Sequence, residues 1–224
     1  MKKLTSIILA LALLLSVVSI NVFAGAVGVG TQTTTTAITN VVSPGSGYNV
    51  VKIDPANPGT TARYASIPAE KFTSFGGLEL GDDCWYIQPQ TNGDYNNEIY
   101  IDNSKEWLSF ELTRSADIYL MTNINPNGSS YMTWANGVYS KVQKDGQDVK
   151  ITNAPGFNGA RGGRLSVSVL KRTVEVIPGG SEKITMKGTG YLDTTAQVEY
   201  GVYGVIVDFK VEKKIGLMLK TMKP

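Results

Sequence analysis

Apolar and polar residues alternate with a period of two through much of this chain, which predicts strands with one buried face. In Trp107 to Thr113, Leu108, Phe110 and Leu112 point one way and Ser109, Glu111 and Thr113 the other. In Arg164 to Val169, Leu165, Val167 and Val169 alternate with Ser166 and Ser168. Val174 and Val176 then carry the apolar positions, so the parity flips and a bulge or turn is expected near Lys171-Arg172. Ile184 and Met186 alternate with Lys183, Thr185 and Lys187, and Val205, Val207, Phe209 and Val211 stand opposite Ile206, Asp208, Lys210 and Glu212. Turn residues separate the runs at Pro126-Asn127-Gly128, Asp145-Gly146, Asn153 to Gly159 and Pro178-Gly179-Gly180. Strands at this spacing predict an all-β fold, an antiparallel β-sandwich or jelly roll. The one helical expectation is a turn over Pro68 to Phe72, capped by Ser66.

The N-terminal pattern is different. Lys2 and Lys3 precede an apolar run from Ile7 to Val18, and Val22-Phe23-Ala24 offers the small residues that signal peptidase reads. Residues 1–24 are therefore expected to be a signal peptide, its apolar run shorter than the roughly 20 residues a spanning helix needs. No Leu-x-x-Cys sequence follows for a lipid anchor. Residues 25–61 form an extended Thr- and Gly-rich segment in which one parity, positions 27 to 41, is almost wholly β-branched. At about 3.3 Å per residue, positions 27–41 would span roughly 50 Å, longer than an ordinary strand. The segment reads as two strands, a flexible leader, or an arm that pairs with another subunit. Residues 62–224 are the β-sandwich domain.

Charge and composition narrow the chemistry. Two of the 21 Lys and Arg lie in the signal, so 19 remain against 19 Asp and Glu, and the mature chain is neutral. No basic stripe tracks a phosphate backbone, which argues against nucleic acid, and against a membrane partner once the signal is removed. The chain has no histidine and a single cysteine, Cys84. That excludes His-dependent triads and an internal disulfide, and leaves few zinc or copper sites. Trp85 and Tyr86 beside Cys84 predict that it is buried. A glycoside hydrolase or lyase working with carboxylates is the remaining enzymatic reading, with Asp82, Asp83, Asp94, Glu98 and Asp102 as its acids. Acids in Asn- and Gly-rich loops are more commonly solvated, so the expectation is a protein that is not an enzyme.

Three segments in order resemble carbohydrate-binding modules of families six and thirty-five, which are galactose-binding-like jelly-roll sandwiches. They are Ala69-Glu70-Lys71-Phe72 with Gly76-Gly77, then Tyr100-Ile101-Asp102-Asn103 leading into Glu106 to Phe110, then Val205-Ile206-Val207-Asp208-Phe209. The resemblance covers roughly residues 62–212. It implies a structural Ca²⁺ between a Glu on the first strand and an Asp on the last, here Glu70 and Asp208, since hard Ca²⁺ takes six to eight oxygen ligands. Residues 189–203 hold no Asn to match the family's polar sugar contact.

Sugars present apolar C–H faces ringed by hydroxyls, so they are bound by aromatic platforms with amide and carboxylate groups around them. Trp134 and Tyr131, after Asn125-Pro126-Asn127-Gly128, and Tyr95 with Asn97 in the Asn92 to Asn97 loop, have that setting. Trp85 and Trp107 lie in apolar or alternating runs and are expected in the core. The functional expectation is a secreted protein, extracellular or at the cell surface, that binds an extracellular polysaccharide without cleaving it. The alternative is a structural or adhesive subunit of a fibre or matrix that self-assembles through its N-terminal strand.

The signal reading sets the first expected outcome. Protein recovered from a secreting host should begin at Gly25, read by intact mass. A secreted chain that still carries Lys2 and Lys3 would refute the cleavage and restore the positive net charge.

Overall fold

The computed structural model describes residues 35–43, 47–89, 102–122, 131–153, 166–190 and 202–210. Regular structure among the described residues is strand, apart from single 3₁₀ turns at Pro58–Thr60 and Thr133–Ala135. The expected all-β, antiparallel character is therefore observed.

The smaller sheet is centred on β6 (Glu106–Leu112), with β1 (Ile38–Val42) on one side and β13 (Glu182–Lys187) on the other, both antiparallel. Leu108, Phe110 and Leu112 alternate as the sequence predicts, but Trp107 and Ser109 on the other parity are buried as well. Leu108, Phe110 and Leu112 are fully buried, and Ile184 and Met186 face Phe110 and Leu108 across the ladder and are buried with them. Lys183 and Lys187 on the other parity of β13 are exposed.

The larger sheet carries the remaining main strands in the order β2 (Tyr48–Lys52), β5 (Cys84–Pro89), β14 (Val202–Phe209), β7 (Ala116–Thr122), β12 (Ser166–Val174), β11 (Lys150–Asn153), β4 (Ile67–Ser74) and β3 (Ala62–Tyr64). A two-residue strand, β8 (Ser140–Lys141), also pairs with β12, and β9 (Gln143–Lys144) forms a hairpin with β10 (Gln147–Asp148). The sheet curls until its last strand returns to β5. The Ala65 N–H donates to the Pro89 carbonyl at 3.0 Å, Gln88 Nε2 to the Ala62 carbonyl at 2.6 Å, and Tyr86 Oη to the Arg63 carbonyl at 2.8 Å.

Curling buries both faces of the middle strands. Inside the curl, Tyr86 stands opposite Ile206 and packs edge-on against Phe72 with ring centroids 5.3 Å apart. On the outer face, Val207 lies between Trp85 and Ile118, and Val205 between Ile87 and Leu120. Tyr48 meets Trp107 of the smaller sheet at 5.7 Å. All six residues of β5 are buried, as a strand covered on both sides requires. Cys84 and both core tryptophans are buried as expected, and burial beside Asp208 raises the Cys84 thiol far above its ordinary range. Such a thiol is inert at neutral pH.

Two local expectations are corrected. The strand β12 shows no bulge or turn at Lys171-Arg172: its register with β7 is unbroken from Ser168 opposite Thr122 to Val174 opposite Ala116. The parity changes because Val167 and Val169 fill one face while Leu170 and Val174 fill the other. The helical turn over Pro68 to Phe72 is also absent, since those residues lie in β4, whose exposed second position accommodates Pro68. Of the N-terminal segment, β1 and β2 are hydrogen-bonded into the two sheets, while residues 1–34 lie outside the described residues.

The contact between Tyr86 and Gly204 tests the curl. A Cβ at Gly204 would enter the Tyr86 ring and come within 2.8 Å of the Met121 methyl. Gly204→Ala should therefore cost about 1–3 kcal/mol, read from the denaturant midpoint. Tyr86→Phe should cost about 1 kcal/mol by leaving the Arg63 carbonyl without its donor. Unchanged midpoints in both variants would mean that the sheet does not close on this contact.

Candidate functional site

Residues 131–139 are fastened to the body at several points. Met132 takes a left-handed backbone conformation with φ of 48°, and its side chain is fully buried against Thr122, whose Oγ1 lies 3.6 Å from the sulfur. The Met132 N–H donates to the Thr189 carbonyl at 2.7 Å. Ala135 is buried, and its carbonyl accepts from the Val138 and Tyr139 N–H groups.

This anchoring sets Trp134 on the 3₁₀ turn, partly covered and partly at the surface. Its Nε1 donates to the Gly188 carbonyl at 2.9 Å, and its ring meets Tyr139 edge-on at 6.0 Å. Tyr131 is 36% exposed, and Thr133 and Asn136 are exposed beside it. Trp134 and Tyr131 thus lie on one anchored segment, whereas Tyr95 and Asn97 lie outside the described residues. Tyr139 is buried; burial pushes its pKa up to about 12, although the Arg172 guanidinium beside it works the other way.

The two acids expected at a calcium ion have different surroundings. Glu70 points inward from β4, is buried, and leaves Oε2 without a partner. Burial raises its pKa, partly countered by Arg63. Asp208, half-buried on β14, accepts the Gly81 N–H on both carboxylate oxygens at 3.1 Å. Its pKa is also raised, first by burial and then by Asp117 and Asp83, against the pull of the Gly81 N–H and Lys171. A guanidinium therefore lies beside one acid, and an N–H spans both oxygens of the other. Among the described residues, no three His, Cys, Asp or Glu side chains gather as metal ligands.

Of the acids of the hydrolytic reading, Asp82, Asp83 and Asp102 are among the described residues. Burial raises the pKa of Asp83, but hydrogen bonds from Trp85 Nε1 at 2.8 Å and Arg114 at 2.6 Å outweigh it and hold the carboxyl below its usual range. Asp102 is lowered mainly by the Ser104 hydroxyl, and Asp82 is exposed. Asp94 and Glu98 lie outside the described residues.

One group of residues went unnoticed in the sequence. Val138 and Ser140, either side of Tyr139, open a cleft of about 520 Å³ that also takes in Lys141, Lys171 and Arg172. The signal was the Lys171-Arg172 pair inside an apolar strand. Only the pairing of β8 with β12, which sets Ser140 opposite Lys171, reveals what the pair faces.

Glu70 gives a test by pH. Its folded pKa lies above the ordinary 4.5, so the stability tied to its protonated form is complete below that value and is lost as pH rises through the folded pKa. Glu70→Gln should therefore help the fold more at about pH 7 than at about pH 4, compared by denaturant midpoints. A variant equally destabilised at both pH values would show that Glu70 contributes through packing instead.

No protein-family model, curated protein or solved structure matches the chain.

Proposed function

We propose that the protein is a secreted, non-catalytic polysaccharide-binding protein of the jelly-roll sandwich type, and that the Tyr131–Trp134 turn is its sugar contact. The observation that carries this reading is the state of Trp134. Its indole N–H is committed to the Gly188 carbonyl and its ring packs edge-on with Tyr139, yet the residue is not fully buried, and exposed Tyr131 lies three positions before it on the same segment. An aromatic group held in place before the ligand arrives loses little conformational entropy on binding. Asn136 and Thr133 supply exposed polar groups on the same turn for sugar hydroxyls.

The jelly-roll form is supported by antiparallel ladders between strands distant in sequence, β5 with β14, β7 with β12 and β1 with β6. The edges of the smaller sheet favour binding over polymerisation. The strand β1 is interrupted where Asn40 takes φ of 51° and the register shifts, and β13 carries exposed Lys183 and Lys187. Bulges and lysines are the usual devices that stop strands adding to an edge.

Glycan binding measured across a polysaccharide panel tests the proposal. Tyr131→Ala, at an exposed position, should weaken binding severalfold and move stability by less than about 0.5 kcal/mol. Trp134→Ala should abolish binding and also lower stability by about 1–3 kcal/mol through the lost Gly188 hydrogen bond and Tyr139 packing. A protein that binds no glycan, or whose binding ignores both residues, would overturn the reading.

A further inference from the structure

The cleft beside the Trp134 turn is lined by cations. Lys141 from β8 and Lys171 and Arg172 from β12 surround one opening, with Ser140, Gln143 and Thr173 between them. No carboxylate lines it. Each cation has an acid at the edge of the cleft: Asp148 lies 2.9 Å from Lys141 and accepts from Gln143, Asp117 lies 2.7 Å from Lys171 and accepts from Thr173, and Glu182 lies 3.9 Å from Arg172. The last distance is beyond hydrogen-bonding reach. Partly exposed pairs of this kind are weak and are readily given up to a better-placed anion.

Arg172 joins the cleft to the aromatic turn. Its guanidinium lies against Tyr139, the residue on which the Trp134 ring packs. Tyr139 is buried at this junction, with the Arg172 guanidinium beside it. A cleft of about 520 Å³ is also in the size range of small-ligand sites.

We propose that this cleft binds the acidic substituents of a polysaccharide, carboxylate or sulfate ester, while a neighbouring sugar ring stacks on Trp134. The inference rests on the polysaccharide reading above and deepens it by naming the ligand's charge. Arg172 supplies a planar fork that matches either oxyanion, Lys141 and Lys171 add point charges, and Ser140, Gln143 and Thr173 meet the ring hydroxyls.

The test measures binding to polygalacturonate, dextran sulfate and uncharged dextran, xylan and galactomannan, at low and at high salt. An acidic polymer should bind, and its affinity should fall as salt rises. Arg172→Gln should weaken that binding about tenfold, Lys141→Gln a few-fold, and Arg172→Lys less than Arg172→Gln. Lys141 is exposed, so Lys141→Gln keeps the test open if an Arg172 variant fails to fold. The stronger of the two acidic polymers identifies carboxylate or sulfate as the recognised group. Binding to uncharged polymers alone, or acidic-polymer binding that ignores Arg172 and Lys141, overturns the cleft while leaving the polysaccharide reading intact. No binding to any polymer overturns both.

Discussion

The return of the large sheet upon itself governs the rest of the structure. A flat antiparallel sheet would expose one face of β5, β7 and β14 to water, and their sequences do not permit it. The strand β5 reads Cys-Trp-Tyr-Ile-Gln-Pro, and β14 carries Val205, Ile206 and Val207 in succession, all three fully buried. The curl gives the inner parity a place, and the smaller sheet covers part of the other. Three hydrogen bonds between the β3 region and β5 hold the two ends of the curl together. Each is modest alone, but a buried carbonyl left without a donor costs more than the bond contributes, so closure is favoured once collapse has begun.

The same closure places charge where charge is costly. Arg63, whose carbonyl takes the Tyr86 hydroxyl, is only 8% exposed, and its guanidinium lies 4.7 Å over the Tyr64 ring. Glu70 faces it from β4 with one oxygen unpaired. A lone buried cation or a lone buried carboxylate would each be expensive, and their attraction offsets the cost only in part. Burial therefore dominates the Glu70 pKa, and the aromatic face of Tyr64 does some of the work that a closer carboxylate would do for Arg63.

How much of this was legible in the sequence depended on how many faces of a strand are buried. Leu108, Phe110 and Leu112 form a plain alternation against Glu111 and Thr113, and β6 is found there. Strands inside the curl defeat the same rule. Val167 and Val169 fill one face and Leu170 and Val174 the other, so an unbroken strand reads as an interrupted one. Pro68 misled because proline near the start of a short polar-apolar run fits a helix entry as well as an exposed strand position. For the site, the loop setting of Tyr131 and Trp134 could be read directly. The cationic cleft could not, because it depends on a two-residue strand, β8, pairing with β12 about thirty positions away.

The aromatic and cationic parts of the candidate site differ in rigidity, and that difference orders their roles. Trp134 is tied by its own N–H, by Met132 buried beneath the turn, and by the Met132 N–H to Thr189. In the proposed reading such a fixed ring would set the position of a sugar face. Lys141 is an exposed side chain, whereas Lys171 is part-buried, 2.7 Å from Asp117 and over the Tyr119 ring; in the proposed reading Lys141 is the more adaptable of the two and acts at longer range. Arg172 stands between these two kinds of group. It shares β12 with Lys171, contacts Tyr139, and pairs with Glu182 at 3.9 Å. If the proposed reading holds, discrimination between an acidic and a neutral sugar should be concentrated in Arg172, since the indole would accept either ring and the lysines any anion.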